Sequence, residues 1–516
     1  MLPAIPDPEL FFGFCSPVGV DNVKARDLLI NCLKKYGYTS EYFKVTTLMK
    51  SIRPKDIELK ETPLEDKYDS YIKYANRLRE VTELDWGLSV LCCTAVRNFR
   101  RNEHVRRNEK PDPDVYIPKT AYIFDQFKRE EEINVLRQIY SQLFVVISVY
   151  SEKKNRMERL ISRIASDHSD ARPSEEHASI AADLIKRDQH EEGALHGQRL
   201  EDAFSSADLF LNIDDPEGSE KLLTRFLDAL FGSNAVSPTH DEYGIYAAQN
   251  AALRSLDLSR QVGAAIFSES NEVITFGCNE VPKALGGTYW TGDPGDARDM
   301  KKGSDSNERI KKSFLVDFTK RLSKAGFLKG EIKEMDVARF ILKETDRGGS
   351  LRDAQVMDLL EFGRMIHAEM SAICDAARTG RTLKNAVLYC TTFPCHLCAK
   401  HIVAAGIKRV VYIEPFPKSY AEHLHGDAIV VGKSGDTGKI VFEPFIGISP
   451  HRYRALFARE RRKDDAGNFQ QWMEKEPRPI IRYTVTTYIQ NENAIAKMFN
   501  SIVSSKVEAG LLEIVS

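Results

Sequence analysis

The sequence lacks an excess of either charge. Its 516 residues include 73 lysines and arginines and 75 aspartates and glutamates, which gives a net charge of −2. Proteins that bind long nucleic acids usually carry a basic excess, because neutralised phosphates supply much of their affinity. The balance therefore favours a small-molecule partner. With 42% hydrophobic and 29% charged residues, the composition is that of a globular protein.

Long apolar runs are also missing, and a secretory leader is not expected. No apolar run approaches the roughly 18 residues that span a bilayer, and Met1–Pro8 has prolines and an acid where a signal peptide has basic and apolar stretches. Nine cysteines lie at irregular spacings, which favours a reducing compartment and, outside the motif described below, buried thiols. These features predict a cytoplasmic protein that does not associate with membranes.

The length of the chain predicts two large domains. Strand-like and helix-like segments alternate over residues 1–235, which is typical of an α/β fold with a parallel sheet and crossover helices. The pattern restarts near residue 240 and continues to about 465. A polar, glycine-rich stretch at about 283–351 is an expected insertion, and 466–516 is an expected C-terminal extension.

The first half begins with a buried strand at Leu10–Phe14, which enters a glycine turn ending at Gly19 and then a helix over Asp21–Tyr36. We expect a second strand at Tyr42–Leu48 and a charged loop at Arg97–Pro113. Further predicted elements are strands at Ala121–Asp125, Leu143–Val149 and Ala207–Ile213 and a helix at Glu130–Tyr140. The second half predicts a helix at Asp241–Leu258, a hairpin at Val262–Phe267 and Val273–Gly277, a helix from near His367, a strand at Ala386–Thr391, a helix at Cys395–Ala405 and a strand at Arg409–Ile413.

The residues with the clearest chemistry are His367-Ala368-Glu369 and Pro394-Cys395-His396-Leu397-Cys398. Together they have the form H-x-E…P-C-x-x-C, the signature of zinc-dependent nucleobase deaminases. Side chains two apart on a regular helix diverge, so His367 and Glu369 converge only at a helix entry. Pro394 favours the first helical position, and Cys395 and Cys398 then share one face near the positive end of the helix dipole.

This set predicts a catalytic Zn²⁺ site with ligands His367, Cys395 and Cys398. Hydrolytic zinc sites use three protein ligands and leave the fourth position to water, whose pKa falls towards about 7. Glu369 would move protons between that water and the substrate. The expected reaction replaces an exocyclic amine with a carbonyl oxygen.

Two other interpretations of the cysteines remain open. A Cys-x-x-Cys pair is also found in redox sites, and a structural zinc site would need a fourth ligand. His396, His401 and Cys390 are candidates for that ligand. His396 lies between the two cysteines and would project from another helix face, which argues against it.

The motif stretches resemble the cytidine/deoxycytidylate deaminase superfamily. Ser259–Ile266 followed by Gly277–Pro282 is similar to the first hairpin of that family, and 392–399 to its second metal-binding stretch. The resemblance implies a five-stranded sheet with flanking helices and a sugar contact from Asn279. Ala368 and Arg260 are further substrate-binding candidates, Arg260 for a phosphate.

The whole layout resembles the bacterial anti-phage dCTP deaminases, in which a P-loop-kinase-like domain precedes a deoxycytidylate-type deaminase. The stretches that support this are Gly286–Trp290, Glu414–Ser419 and Phe442–Gly447. The resemblance implies deamination of dCTP, and of dCMP as a second substrate, which depletes the deoxycytidine nucleotide pool during phage replication. It also implies a homo-oligomer, and an inhibitory RNA or nucleotide effector is a candidate partner.

The glycine turn departs from a P-loop. A P-loop has the form G-x-x-x-x-G-K-[ST], whereas Gly13-Phe14-Cys15-Ser16-Pro17-Val18-Gly19 is followed by Val20-Asp21. The lysine and the magnesium-binding hydroxyl are both replaced, so kinase or NTPase activity is not expected. Gly13, Ser16 and Gly19 remain candidates for binding a nucleotide or anion through backbone amides, and a purely structural turn explains them equally well.

Two other functions are consistent with parts of the sequence. Basic stretches at Arg97–Arg107 and Arg452–Lys463 would suit a deaminase acting on cytosine or adenine in RNA or single-stranded DNA. Alternatively, the N-terminal half would be the working part of a binding or signalling module. The retained Glu369 argues against that second alternative, because a catalytically dead zinc site has no use for a free carboxylate.

Overall fold

The structure is a computed structural model that describes residues 5, 7–170, 172–189, 197–328, 334–346, 349–352, 354–414, 419–432, 438–459, 461–473, 476–481 and 487–515. The chain divides into two units. The first unit combines Met1–Glu242 with Ile446–Ser516, and the second is Tyr243–Phe445. Within the described residues, no helix is long and apolar enough to cross a membrane.

The described residues form fourteen strands. They are β1 Leu10–Cys15, β2 Thr39–Lys44, β3 Ile52–Pro54, β4 Thr120–Phe127, β5 Phe144–Tyr150, β6 Leu209–Asn212, β7 Gly263–Phe267, β8 Val273–Cys278, β9 Val387–Cys390, β10 Arg409–Tyr412, β11 Ile429–Val431, β12 Ile440–Pro444, β13 Gly447–Ile448 and β14 Leu512–Ile514.

The same residues form eighteen α-helices. They are α1 Asn22–Lys34, α2 Val45–Leu48, α3 Leu64–Thr82, α4 Gly87–Arg106, α5 Glu130–Tyr140, α6 Lys153–Asp167, α7 Glu175–Gln189, α8 Leu200–Ser205, α9 Pro216–Leu230, α10 His240–Ala252, α11 Asp299–Lys302, α12 Ser306–Lys324, α13 Glu334–Thr345, α14 Ala368–Arg378, α15 His396–Ala404, α16 Ala421–His425, α17 Pro450–Phe457 and α18 Thr487–Glu508.

The first unit is built on a six-stranded sheet with the order β13-β6-β5-β1-β4-β2. Its pairs are parallel except for the short β13, which runs antiparallel to β6. Strand β1 is buried along its whole length, and β4 and β5 are buried at all but one residue each, as expected for a parallel sheet covered on both faces. The predicted parallel α/β arrangement is therefore confirmed, whereas its likeness to a kinase stays a prediction.

Two local predictions in this unit are wrong. Only Thr39–Lys44 is a strand, and the helix α2 occupies Val45–Leu48, where the strand was expected to continue. The stretch predicted to be a charged loop, Arg97–Pro113, is helical up to Arg106 at the end of α4, and only 107–113 lie outside the helix. Its charges are on a helix that buries Arg100 and His104, so the charge content alone did not indicate a loop.

The C-terminal boundaries also differ from the prediction. The deaminase-like domain was expected to run from 240 to 465 and the extension from 466 to 516, but Ile446–Ser516 belongs to the first unit. The reason is long-range pairing: β13 extends the first sheet at Phe210 and Leu209, and β14 pairs with β3. Helix α18 adds Glu492, which forms a buried ion pair with Arg100.

The second unit has a six-stranded sheet with the order β11-β12-β10-β9-β7-β8. The antiparallel β7–β8 hairpin was predicted, and β7 also runs antiparallel to β9. The remaining pairs are parallel. The resemblance implied five strands, and the sixth is the three-residue β11. Helices α14 and α15 pack on this sheet in one hydrophobic core that includes Ala372, Leu388 and Ile402.

The predicted insertion lies within this second unit. Between Lys283 and Leu351 the described residues contain α11, α12 and α13. Two of these helices are longer than the short ones expected, with 19 and 12 residues. The supporting stretch at 414–419 is described only at its two ends, so positions 415–418 lie outside the described residues.

Candidate metal centre and active site

His367 occupies the entry of α14, as the spacing of the motif required. It is the N-cap residue, with extended backbone angles of φ −66° and ψ 156°, and its carbonyl accepts the first helical bond from Ser371 N at 2.7 Å. Glu369 is in the first turn of the helix. Because His367 precedes the regular helix, its side chain does not follow the helical spacing that would separate it from Glu369.

Cys395 has the same position at the entry of α15. It is the N-cap residue with φ −68° and ψ 166°, and Cys398 lies in the first turn. Pro394 was expected at the first helical position, which His396 occupies instead, so Pro394 lies one residue before the cap. The Ser419 hydroxyl donates to Pro394 O at 2.9 Å and ties this entry to the loop before α16.

The three predicted ligands come together. His367 Nδ1 lies 3.3 Å from Cys395 Sγ and 3.4 Å from Cys398 Sγ, and their donor atoms lie within 4.8 Å of one another. Among the described residues, no fourth His, Cys, Asp or Glu donor belongs to this cluster. His396 faces Glu361 at 3.6 Å, and Cys390 is buried with its thiol towards Val411 O at 3.7 Å. One imidazole and two thiols suit Zn²⁺ with an open fourth position.

Glu369 lies beside the cluster as the predicted spare carboxylate. Its side chain is buried, and Cys398 Sγ donates to Oε2 at 3.5 Å. Burial raises the pKa of the Glu369 carboxyl. A buried carboxyl with a raised pKa is suited to accepting and returning a proton near neutral pH.

The two cysteines differ in their proton affinity without a metal. A hydrogen bond from Cys398 Sγ lowers the pKa of Cys395, with a further contribution from His367. The same bond and burial raise the pKa of Cys398. Cys395 is therefore the more acidic thiol of the pair, and binding of Zn²⁺ through both sulfurs requires both thiols to be deprotonated.

Close approach of strand β8 to α14 holds the centre against the sheet. A Cβ atom at Gly277 would lie 2.0 Å from Ala368 O and 2.6 Å from Ala372 N, so only glycine fits there. Ala368, predicted to bind substrate, is fully buried at this contact. Glu280 and Ile366 also exchange backbone hydrogen bonds of 3.3 and 3.2 Å, which fixes the chain just before His367.

Asn279 holds the ends of the hairpin together. Its Oδ1 accepts from Val262 N at 2.8 Å and its Nδ2 donates to Arg260 O at 2.7 Å. The side chain of Arg260 is 64% exposed, with Nη2 3.6 Å from Glu414 Oε2. Exposed pairs at this distance contribute little stability, so the guanidinium is available to an anionic ligand.

Sequence reasoning missed the acidic residues that support this loop. Asp257 accepts from Ser259 N at 2.6 Å and Arg260 N at 3.2 Å, and burial raises the pKa of its carboxyl. Glu280 accepts from Leu256 N at 3.1 Å, and Arg298 Nη1 lies 3.5 Å from its Oε2. Glu280 lies in the hairpin stretch that resembles the deaminase family but was not singled out there, and Asp257 belongs to no motif.

Other residues of the first unit pack closely around the glycine turn. Gly13 lies inside β1, where a Cβ atom would meet the Phe127 ring at 2.6 Å. Ser16 donates its hydroxyl hydrogen to Gln126 Oε1. Gly19 has φ +86°, and a Cβ atom there would lie 2.8 Å from Arg156 O. The amide of Val18 donates to Asp188 Oδ2 at 2.6 Å, a position that an anion would otherwise take.

Comparison with known proteins agrees with the chemistry of the second unit. Residues 238–414 match the family model described as the cytidine and deoxycytidylate deaminase zinc-binding region. This range holds all three predicted ligands and Glu369. The second unit therefore contains a deaminase domain of the cytidine and deoxycytidylate type, and its cofactor is Zn²⁺.

Individual relatives match shorter segments. The deoxycytidylate deaminase of Enterobacteria phage T2 is 48% identical over 54 residues, which are 10% of this chain and 29% of that protein. ComE operon protein 2 of Bacillus subtilis is 36% identical over 81 residues, which are 16% of this chain and 43% of that protein. The chain thus spans less than half the length of these curated relatives.

Among solved structures, the apo dCMP deaminase of cyanophage S-TIM5 aligns with 40% of this chain and 99% of its own chain, at 16% identity and a TM-score of 0.21. A TM-score of this size adds nothing to the fold assignment, which is based on the strand order and the family match.

Proposed function

We propose that the second unit catalyses zinc-dependent hydrolytic deamination of deoxycytidine nucleotides to deoxyuridine nucleotides. The observation that carries this proposal is the three-donor cluster of His367, Cys395 and Cys398 with the buried carboxylate of Glu369 beside it. A structural zinc site would use a fourth protein ligand and would not need that carboxylate.

The residues divide the chemistry between binding and proton transfer. His367, Cys395 and Cys398 would hold Zn²⁺, which when bound lowers the pKa of a water molecule and so supplies a nucleophile at neutral pH. Glu369 accepts the proton that water loses and delivers it to the ring nitrogen next to the amine-bearing carbon. Glu369 then accepts the proton of the hydroxyl group now attached to that carbon and passes it to the amine, so that the carbon–nitrogen bond breaks, ammonia leaves and a carbonyl remains. Water and the amine are thus converted to a carbonyl and ammonia.

Substrate contacts are proposed for the hairpin loop. An amide nitrogen carries two hydrogens, and one on Asn279 bonds to Arg260 O. The other is proposed to reach the deoxyribose. Arg260, held by its backbone bond to Asp257, is proposed to contact the phosphates, with dCTP as the leading substrate and dCMP as the second. Ala368 shapes the site through its backbone contact with Gly277.

The wider role is proposed from the resemblance noted above. The enzyme would deplete the dCTP pool in anti-phage defence in the cytoplasm, as a homo-oligomer, under control of an RNA or nucleotide effector. The first unit would serve that control and would not act as a kinase, because its glycine turn lacks the P-loop lysine.

The polynucleotide alternative is not favoured. The two basic stretches proposed for RNA or DNA lie in the first unit, which lacks the zinc motif. Several of their arginine side chains already make contacts within the first unit. Arg97 pairs with Asp114 at 2.7 Å, and Arg100 is completely buried. Arg452 donates to Phe144 O and lies 3.2 Å from Asp208. Such residues support the fold and are not a phosphate-binding surface.

The direct test supplies zinc-loaded protein with dCTP, dCMP, cytidine triphosphate and a cytosine-containing oligonucleotide, and separates the products by chromatography. We expect uracil nucleotides from the deoxynucleotides. Glu369→Gln should keep the zinc and lose roughly 10²–10⁴ in kcat, the usual contribution of general acid–base catalysis. Glu272→Gln, an exposed acid in the hairpin turn, is the matched control and should keep full activity.

A zinc-loaded wild-type protein that converts none of these substrates would refute the proposal. Equal activity of wild type and Glu369→Gln would refute the mechanism. Cys398→Ser should lose zinc, whereas Cys374→Ser should not. Cys374 is exposed on α14, contrary to the expectation that cysteines outside the motif are buried, and it is the matched cysteine control.

A further inference from the structure

We propose a second metal site in the first unit, formed by His168, Asp170, His177 and Glu65, which binds a divalent transition-metal ion such as Zn²⁺ through nitrogen and oxygen donors. These residues are outside the deaminase motif and come from three different places in the chain. Glu65 is in the first turn of α3, His168 caps the C-terminus of α6, Asp170 follows it, and His177 is near the start of α7.

The donor atoms already lie together. His168, Asp170 and His177 each contribute one possible ligand atom, and these three atoms all lie within 4.8 Å of one another. His168 Nε2 is 2.8 Å from Glu65 Oε1, and His177 Nε2 is 3.0 Å from Asp170 Oδ2. The two rings are 5.6 Å apart between centroids. Two imidazoles and two carboxylates are a sufficient set for a tetrahedral zinc-type ion.

Charge and burial favour a cation at this place. The cluster holds two carboxylates, and the His177 side chain is only 4% exposed. Among the residues that the structure describes, none supplies a hydrogen-bond partner to Glu65 Oε2, although that atom is buried. A buried carboxylate oxygen without a partner is costly, and a metal ion bound by Glu65 would stabilise it.

One contact has to change when the ion binds. His177 Nδ1 accepts a hydrogen bond from Ser174 N at 3.1 Å, so the proton of the neutral ring is on Nε2 and points to Asp170. Coordination through Nε2 moves that proton to Nδ1 and gives up the bond from Ser174. The adjustment is local, because Ser174 Oγ still accepts from His177 N at 3.3 Å and holds the start of α7.

A metal ion at this site would link α3, α6 and α7 at one end. Helices α3, α6 and α7 pack around a small hydrophobic cluster that includes Leu64, Leu160, Ile164, Ala181 and Ile185. The proposed ligands lie next to Leu64 in α3 and beyond Ile164 in α6. An ion that binds the folded arrangement and not the unfolded chain stabilises this packing in proportion to its affinity.

The test counts metal ions in the full-length protein. Protein stripped with a chelator is reloaded with Zn²⁺, dialysed and analysed for metal content. We expect two zinc ions per chain in the wild type, one in Cys395→Ser/Cys398→Ser, and one in His168→Ala. His168 is partly exposed, so its loss should not disturb folding. His240→Ala, an exposed histidine outside the cluster, should retain two.

Cobalt distinguishes the two sites in the same proteins. Co²⁺ bound by thiolates has an intense near-ultraviolet charge-transfer band, whereas a site of imidazoles and carboxylates has only weak visible bands. Cys395→Ser/Cys398→Ser should therefore keep the weak visible bands alone, and Asp170→Asn in that background should lose them. Hydrogen exchange in α3, α6 and α7 should slow when Zn²⁺ is added to the double-cysteine variant.

A wild-type content of one zinc, lost entirely in Cys395→Ser/Cys398→Ser, would overturn the second site and leave the proposed deaminase function intact. A content of two that is unchanged by His168→Ala and Asp170→Asn would equally overturn the assignment of these ligands. Loss of deaminase activity with normal metal content would count against the proposed function and not against this site.

Discussion

Replacing Arg100 with methionine tests how the C-terminal helix is held in the first unit. Arg100 is completely buried and donates to two buried carboxylates: Nη2 lies 2.8 Å from Glu9 Oε2, and Nη1 lies 2.5 Å from Glu492 Oε2. Glu9 also accepts from Tyr122 and Tyr488 hydroxyls at 2.8 Å each. The Arg100 guanidinium thus forms ion pairs with both Glu9 and Glu492, and its loss leaves both carboxylates without a counter-charge.

The expected loss of stability for Arg100→Met is about 3–5 kcal/mol, the range for removing one partner of a buried ion pair. Arg100→Met/Glu492→Leu should recover at least about 1.5 kcal/mol of this loss, because contacting residues in one network couple by roughly 0.5–3 kcal/mol. Glu9 keeps its bonds from Tyr122 and Tyr488 in the double variant. Arg101→Met, at an exposed position of the same helix, should change stability by less than about 0.5 kcal/mol.

The stability difference between wild type and Arg100→Met should change with pH in one direction. Burial raises the pKa of Glu492 above its unfolded value, and Arg100 opposes that rise. A carboxyl with a raised folded pKa contributes stability that is present below its unfolded pKa and lost as the pH rises through the folded pKa. Without Arg100 the rise is larger, so the stability difference between wild type and Arg100→Met should grow from about pH 4 to pH 8.

Urea unfolding followed by tryptophan fluorescence measures these differences. Of the three tryptophans, Trp86 and Trp472 are in the first unit, so a Trp290→Phe background reports on that unit alone. A loss below about 1 kcal/mol for Arg100→Met, or additive effects of Arg100→Met and Glu492→Leu, would contradict the reasoning. So would a stability difference that shrinks as the pH rises.

Two further predictions concern the close contacts of each unit. Gly277→Ala should lower both zinc content and kcat, because its Cβ atom would overlap Ala368 O at 2.0 Å, whereas Gly363→Ala, with its nearest atom at 3.6 Å, should change neither. Asp188→Ala should cost about 3–5 kcal/mol, because the amide of Val18 loses its acceptor and Lys128 loses the partner of a buried ion pair. Inorganic phosphate should restore part of that stability in Asp188→Ala and have no effect on the wild type, and unfolding midpoints measured with and without phosphate check both expectations.

The metal centre was predictable because its geometry is encoded locally. His367 and Cys395 are each the cap of the helix that follows, and Cys398 is in the first turn of α15. Spacing along the chain therefore determines which side chains converge. The same holds for α1, whose predicted cap Asp21 accepts from Lys24 N at 3.1 Å, and for the β7–β8 hairpin.

Long-range partners account for what the sequence did not predict. Residues 446–465 were assigned to the deaminase-like domain and 466–516 to a separate extension, because two-residue β13 and the helix α18 show no signal of their partners β6 and α4 in the local pattern. The charged half of α4 was taken for a loop for the same reason. Arg100 and Glu492 are far apart in the chain, and only their burial in one network reveals why these charges are present.

Substrate selectivity is expected to depend on how Asn279 is used. Both ends of its amide already bond to backbone atoms of the hairpin loop, so it would offer a sugar one remaining hydrogen and one oxygen lone pair. A contact of this kind does not distinguish deoxyribose from ribose, since it is satisfied by a hydroxyl group that both sugars possess. Discrimination at the 2′ position therefore requires either steric exclusion or another residue. Arg260, exposed and held by Asp257, is proposed to contact the phosphates and would then influence the choice between mono- and triphosphate. The two selectivities are thus expected to be separable by mutation.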